Sequence, residues 1–437
     1  MNYSETFEKF NSEFPSSIES VRLGRQSALQ FFNENGLPTR KNEDWKYTGL
    51  KVLTENNFSI PKSGQSISPD VLSMIKSFLR KEMLDVVFFN GEYRPELSGE
   101  TATGLSVKSL ASGDDKIDFK KAALVRGDIH LQALGEMFSQ SEIKIEISEN
   151  VSLKKPVRLL FLNHLCGGPS LMMHPRVHLK IGKASKATVL ESHQGLETAR
   201  YFVNSRTRVS CSENSNLNYT FHQDQSETSV HMAQTIFDIE KSARLQSLSF
   251  QTGSLLSRHN VDVKLQKENS EVDLLGLAVL ARRQHCDNKT LIHHEVGQCT
   301  TRQIYKSILA GESRYVFSGK IKIARAAQQA SSEQLNKNLL ISSLAEVDSE
   351  PQLEVEADDV KATHGSTIGQ LNKEEIFYFK SRGISEEKAL DLLSFGFAAD
   401  VMERIENLEL KTLLIAALQK SFKKLSSDAG TKAINLG

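Results

Sequence analysis

Four stretches that can be laid over one another decide the fold: GKASKATVLES (Gly182–Ser192), SENSNLNYTF (Ser212–Phe221), EKSARLQSLSF (Glu240–Phe250) and KENSEVDLLGL (Lys267–Leu277). Each is a polar turn followed by a run in which apolar and polar residues alternate. Alternation with period two marks a strand with one buried face. With Ala187, Leu217, Leu245 and Val272 as equivalent positions, the spacings are 30, 28 and 27 residues. GQCTTRQIYKSIL (Gly297–Leu309) reads as a fifth copy. A weak repeat of this length, made of strands and turns, suits a solenoid of stacked β-coils, where each coil buries its apolar row by stacking on the next. A β-sandwich accommodates the same strands, and the residues alone leave both architectures open.

The period-two region extends outward from about Ser141 to Ala362. SEIKIEI, PVRLLFL, RVHLKI and NVDVKL add further strands, and no helix longer than about ten residues is expected before roughly Gln328. N-terminal to it, Phe7, Phe10 and Phe14 recur at helical spacing. A second helix is expected after Pro15, capped by Ser16 or Ser17 and ending before Gly36-Leu37-Pro38. Leu72, Ile75, Phe78 and Leu79 suggest a third, and LDVVFFNGEY a strand turning at Asn90-Gly91. C-terminal to it, Asn372 and Glu375 form a capping-box-like start with Gly383 as the stop. Ser385 caps a helix carrying Leu390, Leu393, Phe397 and Val401 on one face. A last helix carries Leu410, Leu414, Leu418, Phe422 and Leu425, with Lys420, Lys423 and Lys424 near its negative end. The tail from Ser426 is expected to be mobile. The organisation is therefore an N-terminal α-rich region over 1–130, a β-core over 131–371 and a C-terminal helical region over 372–437.

Composition narrows the function classes. The 437 residues carry 54 Lys plus Arg against 54 Asp plus Glu, so the basic excess of a dedicated nucleic-acid binder is missing. The start, MNYSETFEKF, lacks a basic then apolar leader pattern. The longest apolar run, Leu274–Ala281, is far short of the roughly 20 residues that a membrane span needs. These features predict a cytoplasmic chain. Cys166, Cys211, Cys286 and Cys299 form no C-x-x-C and are expected to be plain buried thiols.

Three clusters invite chemistry. QHCDNKTLIHHEVGQC holds His285, Cys286, Asp287, His293, His294 and Cys299. Imidazole and thiolate suit zinc or iron, but the spacing matches no zinc motif, and adjacent histidines on a strand point to opposite faces. The bland reading is polar residues at the turns of a β-coil. NHLCGG with MMHPRVHL holds His164, Cys166, His174 and His178, split by Gly167-Gly168-Pro169, and reads as a loop. ADDVKATHGSTIGQL places Asp358, Asp359 and His364 at the junction of the β-core and the terminal helices, with His364 expected in a Gly-flanked turn. A histidine there can ligate or donate, or simply pack and cap. No G-x-S-x-G, H-E-x-x-H or P-loop signature is present.

At this junction the sequence resembles the SufB/SufD family, the scaffold subunits of the SUF iron–sulfur cluster assembly system. The resemblance is carried by RKNEDWKYT (Arg40–Thr48), VVFFNGEY (Val86–Tyr93), Asp287–His294, YVFSGKIKI (Tyr315–Ile323), EQLNKNLLIS (Glu333–Ser342), PQLEVEADDVKATHGSTIGQL (Pro351–Leu371) and IFYFKSRGI (Ile376–Ile384). HGSTIGQL is similar to the SufD branch.

The resemblance implies a right-handed parallel β-helix core between helical ends, mainly β overall. It implies pairing with a SufB-like subunit through the end of the β-helix, with YVFSGKIKI near the interface and a second copy substituting when SufB is absent. It implies docking of a SufC-like ATPase on the C-terminal helices, Phe377 to Leu425, which are expected to leave the solenoid, and a transient iron–sulfur cluster in the assembled complex, not bound stably by the isolated chain, for which His364 is this chain's ligand. It implies a scaffold rather than an enzyme, without nucleic-acid or membrane partners. SufD-like chains often carry a Cys two positions before that His; here Ala362 stands there, so no thiolate comes from this motif. The rival reading is a β-helix polysaccharide lyase, with acids and bases lined along a groove.

Overall fold

The computed structural model describes residues 3–15, 19–110, 128–140, 142–371 and 373–429. Two long parallel stacks of strands dominate it. The first stacks Leu84–Phe89, Val157–Asn163, Lys186–Gly195, Asn216–Asp224, Arg244–Gln251, Glu271–Leu280, Thr300–Leu309, Ser331–Leu340 and Lys361–Gln370. The second stacks Glu142–Ile147, Arg176–Ile181, Phe202–Cys211, Val230–Ile239, Leu256–Leu265, His285–His294, Arg314–Ile323 and Glu346–Val355. The chain alternates between the stacks, and every pairing within them is parallel. This is a β-helix, and a sandwich of antiparallel sheets is excluded. No helix interrupts the strands between Phe138 and Lys373 among the described residues.

The repeat read from the sequence is the register itself. Ala187 lies opposite Leu217, Leu217 opposite Leu245, Leu245 opposite Val272, and Val272 opposite Thr301 of the fifth copy. The turn before each of these strands has one residue with positive φ: Ala184 (52°), Asn214 (57°), Ser242 (53°), Asn269 (62°), Gln298 (60°) and, one coil later, Gln329 (60°). A small residue follows each: Ser185, Ser215, Ala243, Ser270, Cys299 and Ala330, all buried. Turns also bond turns, as in Asn214 N–H to Lys241 O at 3.0 Å and Ser242 N–H to Glu268 O at 3.0 Å. The polar turn with its serine is therefore the corner at which one coil stacks on the next.

Alternation divides each strand between an inner core and an outer face. Ala187, Val189, Leu217, Tyr219, Leu245, Val272, Leu274, Val261, Val263, Phe317 and Ile321 belong to the inner core. On the outer face of the first stack, Leu248, Phe250, Leu275, Leu277, Val279 and Ile308 pack against Val401, Met402, Leu410, Leu414, Leu418 and Phe422 of the terminal helices. A strand buried on both faces needs no alternation, which explains the apolar run from Leu274 to Ala281. On the second stack, Met172, Phe202, Val230, Met232 and Leu256 lie under Trp45, Leu53, Phe58, Leu131 and Leu134 of the N-terminal region.

The predicted helices form over Tyr3–Glu13, Glu19–Asn35, Pro69–Phe78, Lys373–Ser381, Glu386–Glu403 and Leu408–Ala429. Gly36 and Gly383 end two of them with φ of 63° and 78°. The Ser385 hydroxyl caps the Lys388 N–H. Asn90 (φ 48°) and Gly91 (φ 83°) make the hairpin turn into Glu92–Tyr93. Ser426 to Ala429, expected in the mobile tail, instead continue the last helix, while Ser16, Ser17, Asn372 and 430–437 lie outside the described residues. Two further expectations are corrected. The last two helices do not leave the solenoid: their apolar stripe closes over the first stack. Lys420, Lys423 and Lys424 lie short of the last turn of their helix, which runs on to Ala429, and Lys420 and Lys424 instead reach the solenoid carboxylate of Asp224, Lys420 at 2.8 Å.

The inner core is polar near its middle coils. Glu191 accepts from the Thr207 hydroxyl at 2.7 Å and lies 2.8 Å from His193 Nε2. Burial alone would raise its carboxyl, but His193, Tyr219 and Thr207 hold it below the ordinary range. His259 lies between the Thr235 and Ser249 hydroxyls, both at 2.9 Å. Burial pushes His174 and His259 down to about 3 and His222 and His294 to about 4, and His231 well below its usual value. A group with a depressed folded pKa takes up its proton first in the unfolded chain. The stability of these neutral imidazoles is therefore complete above roughly pH 6.5 and declines as pH falls toward their folded values, by up to about 1.4 kcal/mol per pH unit for each. Denaturant midpoints should fall between pH 7 and pH 5, before carboxylates titrate. A flat midpoint across that interval would refute the neutral, buried state of these rings.

Candidate functional site

The two ends of the solenoid differ. At the first, the stacks finish in short antiparallel additions, Glu92–Tyr93 on Leu84–Phe89 and Leu105–Leu110 on Glu142–Ile147. At the other, Glu346–Val355 and Lys361–Gln370 each pair on one side only. These outermost strands are the edge. YVFSGKIKI, expected near it, lies one coil further in, paired on both sides. The two strands are protected unequally. Glu346–Val355 contains Pro351 and several carboxylates, devices that discourage edge pairing. Lys361–Gln370 has no proline or acid and a single Lys at its start.

His364 lies inside this strand, not in the Gly-flanked turn that the sequence suggests. It is exposed and sits in register with the buried Gln334. Register therefore puts Ala362, His364, Ser366 and Ile368 in the inner row, opposite Ser332, Gln334, Asn336 and Asn338. Thr363 and Gly365 belong to the other face, so the small neighbours beside the imidazole are Ala362 and Ser366. Below this row runs a buried polar ladder. Gln334 Nε2 donates to Gln303 Oε1 at 2.8 Å, and Gln303 Nε2 donates to the Thr290 hydroxyl at 2.6 Å. Ser349 donates to Asn336 Oδ1 and meets the Ser366 hydroxyl, both at 2.8 Å. Asp358 and Asp359 stay exposed in the preceding turn.

The other candidates separate. His285 to His294 form one strand rather than turns, and alternation splits them. Cys286 and His294 are buried inward, with the Cys286 thiol pushed by burial to about 12. Asp287 faces outward to Arg258 at 2.8 Å. His164 and Cys166 share the expected loop, where His164 Nδ1 accepts the Cys166 N–H at 2.9 Å. His174 and His178 lie elsewhere, beside Asn204 and Ser210. Cys166 is exposed, against the expectation of four buried thiols; Cys211, Cys286 and Cys299 are buried. Among the described residues no three His, Cys, Asp or Glu side chains group as a metal site, and no helix is long and apolar enough to cross a membrane.

One arrangement carried no assigned role in the sequence. RKNEDWKYT straps the outer face of the second stack. Arg258 is buried with its guanidinium 4.0 Å from the Trp45 ring and donates to Asp44 O at 2.8 Å. Tyr47 donates to Glu350 Oε1 at 2.8 Å, and Lys46 meets the same carboxylate at 2.6 Å. The strap thus reaches the open edge strand. The isolated Trp in a charged stretch is the signal that marks it. On the terminal helices, Phe377 (73% exposed), Tyr378 (58%) and Leu408 (71%) remain uncovered.

The comparisons agree with this architecture. Residues 1–159 match the SufBD protein N-terminal region, and residues 164–397 match the SufBD core domain of SUF system FeS cluster assembly. The iron–sulfur cluster assembly protein SufD of Escherichia coli is 34% identical over 90% of this chain and 91% of its own length. An iron–sulfur cluster assembly SufBD family protein of Synechocystis is 30% identical over 87% of this chain and 86% of its own length. A chloroplastic protein of Arabidopsis thaliana, ABCI7, is 25% identical over 94% and 88%. With its β-helix, its helical ends and these relatives, the chain belongs to the SufBD family and is a SufD-like iron–sulfur cluster assembly protein of the SUF system.

Proposed function

We propose that this chain is a cytoplasmic scaffold, not an enzyme on its own, that pairs with a SufB-like subunit through the strands Glu346–Val355 and Lys361–Gln370. Residues 131–371 serve as the pairing core, 1–130 braces it, and 372–437 docks a SufC-like ATPase. A nascent cluster forms transiently at the junction, with His364 as this chain's ligand and the remaining ligands from the partner. The observation that carries this reading is the bare parallel edge with His364 in its inner row. A ten-residue edge strand without acid or proline invites a partner strand. In the absence of SufB, a second copy covers the same edge. The lyase reading gains nothing, because helices lie over much of the outer face of both stacks.

The docking surface for the ATPase is smaller than the whole segment from Phe377 to Leu425. Leu410, Leu414, Leu418 and Phe422 are committed to the solenoid, so deleting everything after Ser385 would strip the first stack of its cover. Phe377 and Tyr378 stay available as anchors.

Three outcomes are expected. Ile368→Lys places an ammonium on the open edge at a half-exposed apolar position. It should weaken pairing with the SufB-like chain at least about tenfold, or ~1.4 kcal/mol, with the thermal midpoint kept. Sedimentation of the mixed chains measures this, and wild-type affinity would place the interface elsewhere. Phe377→Asp with Tyr378→Asp should cost about 2 kcal/mol or more of ATPase binding without loss of fold. Undiminished co-purification would move docking away from this helix. His364→Ala should fold and bind both partners yet fail to build clusters. If the histidine only supports the strand, assembly should weaken and the midpoint drop instead. Normal assembly with native cluster formation would end the ligand reading.

A further inference from the structure

The ladder beneath His364 contains an atom that the fold does not use. Gln334 is 1% exposed. Its Nε2 turns back along the stack to Gln303, which turns in turn to Thr290. Its Oε1 is buried and has no hydrogen-bond partner. Leaving such an acceptor unmet forfeits the hydrogen bonds that water would give it, so a buried orphan calls for a reason. The position is closely fitted: a Cβ on Gly319 would lie 2.3 Å from Gln334 Nε2, so glycine at 319 makes room for the amide. Gln303 occupies one neighbouring place in the inner row, and His364 occupies the other. An amide whose nitrogen faces one rung has its oxygen for the next.

We propose that Gln334 is the positioning residue of His364, its Oε1 accepting an imidazole N–H when a partner strand closes the end of the solenoid. The consequence is a fixed tautomer. One ring nitrogen keeps its proton toward Gln334, and the other presents its lone pair to the junction. Imidazole ligands are generally held this way, the distal N–H bonded to a carbonyl or carboxylate oxygen that fixes ring orientation and raises basicity. The column Thr290–Gln303–Gln334 then anchors the imidazole to the core of the solenoid, giving an exposed side chain a rigid support. This inference rests on the reading of His364 as a cluster ligand.

The test uses the assembled complex. Gln334→Leu removes the acceptor; Gln334→Glu keeps an oxygen, with the Gln303 amide free to turn its nitrogen toward it. Gln334→Leu should lower the rate of cluster build-up from ferric iron and sulfide in the presence of a thiol reductant about tenfold or more, with partner binding and thermal midpoint unchanged. Gln334→Glu should stay within a few-fold of wild type and displace the acid limb of the pH profile. If Gln334→Leu does not accumulate, Gln334→Met fills the same slot without the acceptor. Wild-type cluster formation in Gln334→Leu, alongside failure in His364→Ala, overturns the positioning role and leaves the ligand reading standing. If His364→Ala builds clusters normally, the ligand reading fails. The tautomer of ¹⁵N-labelled His364 in the complex then decides the positioning role: one fixed form that becomes mixed in Gln334→Leu sustains it, and a mixed form in both ends it.

Discussion

A parallel β-strand offers hydrogen-bonding groups on both sides, and a β-helix satisfies one side of each coil only with the next. The structure depends on that requirement. It makes the repeat spacing a register, since Ala187, Leu217, Leu245 and Val272 must stack for the inner row to stay dry and the corners to bond. It also makes the ends of the solenoid its exposed problem. One end is solved locally by antiparallel additions. The other has no local solution among the described residues, and there the motif HGST lies in the last strand. For the pairing proposed above, an incomplete last coil is an advantage, because its edge is free to take a partner strand.

The fold was legible wherever a residue had one job. Corners declared themselves through polar residues in left-handed turns and small residues after them, and the one-sided strands through alternation. Two strands of the second stack escaped notice. Phe202–Cys211 and Val230–Ile239 carry Ser, Thr, Arg, Asn and His in the inner row or beneath the N-terminal cover, so their polar–apolar rhythm is blurred. The return of the terminal helices was equally hidden. A stripe such as Leu410, Leu414 and Leu418 says that a helix is covered but not by what; the answer lay in a double-sided apolar strand, Glu271–Leu280, far earlier in the chain.

The site shows a different limit. The sequence singled out His364, but its flanking glycine suggested a turn, whereas the strand pairing with Ser331–Leu340 overrides that local preference. Tertiary pairing commonly decides strand identity over propensity. What surrounds the imidazole follows from the pleat, which makes Ala362 and Ser366 its companions and puts Gln334 behind it. None of these relations has a short-range signature. The Trp45–Arg258 contact, 213 residues apart in sequence, is of the same kind.

The polar interior ties these features together. A solenoid lined only with aliphatic side chains would be insensitive to the identity of what caps it. In the last coils the inner row is amide and hydroxyl: Leu274 is followed by Gln303, Gln334 and finally His364, while Ser307, Asn338, Asn336, Ser349 and Ser366 run beside them. Buried polar ladders are costly when incomplete and selective when complete. A ladder open at its last rung therefore favours a partner that supplies hydrogen-bonding groups in register over one that merely covers apolar surface. In the proposed pairing, the chemistry of the junction is prepared inside the solenoid, two coils before the edge.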